Sequence, residues 1–412
     1  MSNHNEERLK QANVYSKKGN YQQLGAVLCQ NGNPLNFIIS GRISQAQFDT
    51  LEQLVDTIIG KFPLIVLHNN HPILEQKVAN VYERKIQSGT LLGDCPLWNI
   101  GKDNLVFEPL YGMDEVQIVK VLKRLAIKMD YTVTPRFERI VRAHLRILKE
   151  QNVPASLARL QYLCGFEDMQ EFQKNIMALP CGPDVARRIW ADMGLDNDKN
   201  AEQFDLFRNV ITNFVYEMKQ SGWKPDAEVM RVNALTAIKR CATLVFSVND
   251  VFSDFFFNYL VDELRGNEGK PFFVLLDNVR LDDSYFSEFL IHPSANCRVG
   301  VVAENAASLM GRDTENFFRF AEKVHCYILF KHKTSAAASI YSEIIGKFDY
   351  TKTEYSEGTQ RESFKIIASG HHSDTRYSVE NQYRIMPEDI MQLGNGQAYV
   401  FDTLTDMVYR YN

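Results

Sequence analysis

Short, unbroken apolar runs, separated by stretches with helical spacing, constrain this chain more than any other feature. Phe37–Ser40 reads as a strand and Gly41 opens a turn. From Phe48 to Ile59, the residues Leu51, Leu54, Val55 and Ile58 fall on one helix face, and Leu64–Leu67 is a second buried strand. Strand, helix and strand within about 30 residues make a βαβ unit. Strands that are apolar on both faces belong to a parallel sheet covered on both sides.

The pattern changes at about Gly112. From there to about Gly222 nearly every periodic segment is helical, punctuated by Pro135, Pro154, Pro180, Pro183 and Gly194. The α/β pattern then resumes. Ala242–Ser247, Phe272–Leu276, Arg298–Ala303 and Cys326–Phe330 read as strands, and Val251–Leu264 and Ser335–Ile345 as helices, the latter stopped by Gly346. Shorter strands are expected at Ser363–Ile367, Tyr377–Tyr383 and Gln397–Phe401, around a small helix that starts at Pro387. The reading is one mostly parallel α/β sheet, built from residues 1–111 and 226–412 and interrupted by an all-helical domain at 112–225.

A chain of 412 residues is long enough for two cores. Its net charge of -5 argues against a surface that coats nucleic acid everywhere, while leaving room for a local basic face. No apolar run approaches the roughly 18 residues of a membrane span. The first eleven residues are polar and lack the apolar core of a secretory signal. The 7 cysteines are scattered without a CxxC pair, which predicts reduced thiols in a cytoplasmic protein and no zinc site.

The turn after the first strand is where a nucleotide-binding core places G-x-x-x-x-G-K-[ST]. There glycines let backbone N–H groups wrap phosphates, the lysine neutralises them and the hydroxyl holds magnesium. The eight residues from Gly41 to Phe48 follow that strand here. Laid on the motif, Arg42 follows the one surviving glycine, Ala46 replaces the second, Gln47 the lysine and Phe48 the hydroxyl residue. The second half of such a site is an apolar strand ending in Asp-Glu, for magnesium and for the attacking water. This chain has Phe272–Leu276 followed by Asp277 and Asn278, and asparagine cannot act as a base. An ordinary βα turn and an Asp-Asn turn would each look the same in isolation. Both halves are altered in the same direction, toward an ATPase core that no longer hydrolyses.

The order of these elements resembles the type IV coupling proteins, the TraG/TraD-like ATPases of conjugation and type IV secretion. Asn104–Met113 is similar to the family's lead into its helical domain, Ser335–Gly346 to a family helix, and Arg384–Leu393 to its C-terminal segment. The resemblance covers about residues 30–402. It implies a RecA-like P-loop NTPase-type fold with an inserted all-α domain, and places Glu304 or Asn305 where the family carries a glutamine sensor near the γ-phosphate. Family members usually carry N-terminal transmembrane helices, and no run here has that length.

Residues 117–160 hold ten Lys/Arg against three Asp/Glu. Arg136, Arg139, Arg142, Arg146 and Lys149 share one helix face, with Phe137, Ile140, Val141, Leu145 and Leu148 on the complementary arc. That stripe is either a solvated face or a docking surface for DNA phosphates or an acidic partner. His371, His372 and Asp374 are read as a loop or strand end, His68 and His71 as a turn at a strand end near Gly41, the right neighbourhood for ligands, and Phe255–Phe257 and Phe317–Phe320 as packing clusters.

The expected function is that of a coupling-protein-like pseudo-ATPase. It would recruit a protein or DNA substrate, or partner subunits of a secretion machine, in the cytoplasm or peripheral to the inner membrane through those partners. No cofactor is expected unless the degenerate loop still takes ATP and magnesium. The rivals are a divergent active NTPase and a purely structural ring subunit.

Overall fold

The computed structural model describes residues 8–17, 24–30, 33–69, 71–91, 94–100, 105–166, 169–193, 198–220, 230–247, 271–279, 296–305, 314–359 and 371–411. Ten strands make the main sheet. In chain order they are β1 (Val14–Lys17), β2 (Phe37–Ser40), β3 (Leu64–His68), β4 (Leu97–Asn99), β5 (Thr243–Ser247), β6 (Phe272–Asp277), β7 (Cys297–Ala303), β8 (Cys326–Leu329), β9 (Ala398–Asp402) and β10 (Met407–Tyr411). Their spatial order is β1-β10-β9-β8-β2-β7-β6-β3-β5-β4. From β8 to β4 every pairing is parallel. The pairs β8–β9 and β9–β10 are antiparallel.

The central strands are buried along their whole length, as their apolar composition requires. Successive side chains feed opposite cores. Ile38 lies in one apolar cluster, and Phe37 and Ile39 in the other. Gly300 on β7 lets the rings of Phe37 and Phe273 close over it, and a Cβ there would lie 2.2 Å from Phe37. These two rings stack at 5.8 Å.

Helix α1 (Gln45–Ile58) connects β2 to β3, and α2 (Pro72–Gln87) follows β3. The first begins three residues earlier than its apolar spacing suggests, because the Ser44 side chain caps it by accepting the N–H of Gln47.

Among the described residues, six further helices run between residues 115 and 220: α3 (Glu115–Lys128), α4 (Pro135–Glu150), α5 (Leu157–Cys164), α6 (Met169–Met177), α7 (Pro183–Met193) and α8 (Asp198–Gln220). They leave from Leu105–Phe107 and return to Met230–Val232, two short strands that pair in parallel. Asp114 and Gln117 close a capping box on α3, and Thr134 with Pro135 starts α4.

A separate hairpin pairs Lys347–Thr359 with His371–Tyr383 over thirteen residues. It contains the expected strand at Tyr377–Tyr383 and places His371 and His372 on a strand. The anticipated helix at Val251–Leu264, the Phe255–Phe257 cluster and the strand at Ser363–Ile367 lie outside the described residues. Phe317 and Phe320 are buried in the core. Arg384 ties the two ends of the chain together, donating to the Ala12 carbonyl and to Asp406. All seven cysteines are free thiols. Among the described residues no helix is long and apolar enough to cross a membrane.

Candidate functional site

The chain leaves β2 for α1 and β3 on one side, while β8 lies against the other side of β2. Such a switch point, at the carboxyl ends of parallel strands, is where open α/β sheets bind ligands. Gly41 makes the turn at φ +127, in the region that disfavours side chains, and a Cβ there would lie 2.8 Å from the Phe330 backbone. Behind it, Ser40 and His332 are buried and 3.1 Å apart. His332 Nδ1 donates to the Phe330 carbonyl, so its Nε2 accepts the Ser40 hydroxyl. Burial lowers the His332 pKa, which fits that neutral tautomer.

On the β8 side of the loop an open cavity of about 440 Å3 is lined by residues 42–46, Phe330, Lys331 and 394–396. Arg42 and Lys331 give it positive charge, and Gly396, at φ +79, turns the backbone along its wall.

The opposite side of the loop is filled. Gln47 is 2% exposed, and its amide nitrogen has no hydrogen-bond partner among the described residues. Phe48 is buried and meets the His71 ring edge-on at 6.1 Å. Nδ1 of His71 donates to Oδ2 of Asp277 at 2.8 Å, and that bond is the leading cause of a raised His71 pKa. Asp277 is 1% exposed, and its Oδ1 accepts the Asn278 amide at 3.0 Å. His71 is itself fixed, because its backbone N–H donates to His68 Nδ1 and His68 Nε2 contacts Glu75 at 3.0 Å.

Phe48 thus reaches Asp277 and Asn278 through His71, Gly41 donates its N–H to the Ala303 carbonyl at the end of β7, Ala46 lines the cavity with Arg42, and Gln47 is buried. Glu304 stands at their rim, its backbone N–H bound to Asn278 and its carboxylate 3.1 Å from Lys333. Magnesium, which a phosphate loop implies, does not fit these residues. The hydroxyl ligand is a phenyl ring, and the His71 imidazole lies against Oδ2 of the aspartate at 2.8 Å, on the side that the Phe48 ring also faces. His68 ends β3 and His71 follows it, so the strand end near Gly41 that the sequence marks as a neighbourhood for ligands is where the two histidines meet Asp277 and Glu75.

The basic stripe lies on α4, away from this cluster. Its complementary arc is buried as expected, together with His144. Arg142 pairs with Glu115, and Arg136 donates to the Ala191 carbonyl at 2.8 Å. Arg139, Arg146 and Lys149 are exposed.

No protein-family model and no curated protein sequence matches this chain. Among solved structures it is similar to the bacterial conjugative coupling protein TrwBdeltaN70. The unbound monoclinic form superposes with a TM-score of 0.52 at 9% identity, over 95% of this chain and 91% of that one. The trigonal form in complex with sulphate gives 0.51 at 9% identity, over 96% and 92%. At that identity the likeness establishes the fold, and the expected RecA-like architecture is the one observed.

Proposed function

From a chain that shares the fold of a conjugative coupling protein, we propose a coupling-type subunit that binds partners or substrate in a type IV secretion or conjugation machine without hydrolysing ATP. One observation supports the second half of that reading: the His71 ring donates to Asp277 and packs against Phe48, at the carboxylate that would serve a metal-bound phosphate. The absent lysine and the Asn278 that follows Asp277 point the same way. In this reading 112–225 is a discrete helical domain that faces the substrate or partner, through Arg139, Arg146 and Lys149. Residues 1–111 and 226–412 form the scaffold that docks on neighbouring subunits.

The cavity beside Arg42 and Lys331 favours a second reading, in which a nucleotide is still held on the β8 side of the loop. Calorimetric titration with ATP and magnesium, paired with a phosphate-release assay, separates the two. The proposal expects no turnover above background. Turnover that Asp277→Ala abolishes would overturn it, and binding without turnover would make the nucleotide a structural ligand.

A further inference from the structure

We propose that His71 stands in the place of the divalent cation, so that Asp277 is an internally satisfied structural carboxylate instead of a metal ligand. The inference deepens the non-hydrolytic reading above and rests on it.

A magnesium ion needs near-octahedral oxygen donors at about 2.0–2.1 Å. The aspartate at the end of β6 already has an N–H donor against each of its oxygens. Oδ2 takes the imidazole N–H of His71 at 2.8 Å and Oδ1 takes the Asn278 amide at 3.0 Å. The donor comes from a residue 206 positions away, so the pairing is made by the fold and not by a local turn.

His68 accepts the His71 backbone N–H, His68 Nε2 lies 3.0 Å from Glu75, and the Phe48 and His71 rings meet edge-on. Phe48 and His71 therefore act together: the first offers no hydroxyl ligand, and the second supplies a donor to Oδ2 of the buried carboxylate. A buried carboxylate without partners is costly, and His71 and Asn278 together satisfy Asp277.

The test uses the full chain and manganese alone, without nucleotide, followed by electron paramagnetic resonance. Its outcome is therefore independent of whether ATP binds or turns over. The wild-type protein should show no saturable site. His71→Ala should acquire one at least about tenfold tighter, and His71→Ala combined with Asp277→Asn should lose it. A wild-type site abolished by Asp277→Asn would overturn the inference, as would a folded His71→Ala protein that binds manganese no better than wild type. If His71→Ala does not fold, the wild-type imidazole resonances decide. Manganese should leave the His71 signals unbroadened, and selective broadening of His71 would overturn the inference.

Discussion

Glu108 accepts the backbone N–H of Leu157 at 3.0 Å, fastening the start of α5 to the strand that leads into the helical insertion. The same oxygen accepts the N–H of Leu110 at 3.3 Å, and the backbone N–H of Glu108 donates to Val232 on the returning strand. One residue, through its buried carboxyl and its backbone N–H, thus joins the outgoing chain, the returning chain and the helices between them.

Burial raises the Glu108 carboxyl to about 7 from 4.5, with its two N–H donors and Arg231 opposing the shift. The folded state therefore holds a proton that the unfolded state has released. Its stabilising contribution is full below pH 4.5 and is lost as pH rises through about 7. Glu108→Gln should raise stability above pH 7 by about 2 kcal/mol and change little below pH 4.5. Urea midpoints in the two ranges check this, and equal destabilisation in both would contradict it.

His144 should act with the opposite sign. It is fully enclosed against Phe204 and Phe207, and burial lowers its pKa to about 4 from 6.5. The folded state then resists a proton that the unfolded state takes up. Its contribution is full above pH 6.5 and falls away as pH drops toward 4. His144→Phe should flatten that acid limb. An unchanged pH dependence of the urea midpoint would show that another group controls it.

Gly41→Ala should lower stability by about 1–3 kcal/mol, through the strained φ and the contact with Phe330. A thermal melt reads the effect directly. A shift within error would mean that the β2–α1 turn rearranges at no cost.

Replacing Arg139, Arg146 and Lys149 together by alanine should leave stability within about 0.5 kcal/mol, since all three are exposed. The same variant should bind DNA or an acidic partner more weakly, with a shallower dependence of affinity on salt. Unchanged affinity and salt slope would assign the stripe to solvent.

Gln47→Lys with Phe48→Thr should not restore ATP hydrolysis. The lysine would enter a position that is 2% exposed, and Asn278 still cannot activate water. Phosphate release by this double variant would show that the Asp277 half of the site has been misread.

The sequence by itself determined the layers of this protein. Unbroken apolar runs such as Leu64–Leu67 fit central parallel strands, and the punctuated periodic stretch after Gly112 fits helices. It also determined what the phosphate loop lacks, because Gln47 and Phe48 are chemical facts in any fold. Local pattern fades where strands are short or one-sided, so β1, β4 and β10 and the strand Lys347–Thr359 carried little signal. Tertiary structure alone decided which partners met. His71 looks like part of a turn until β3 and β6 lie side by side and bring it to Asp277. Glu108 looks like one acid before a proline until the insertion closes over it. Both depend on contacts between residues far apart in the chain, and no periodicity or local spacing encodes which buried polar group will find which donor.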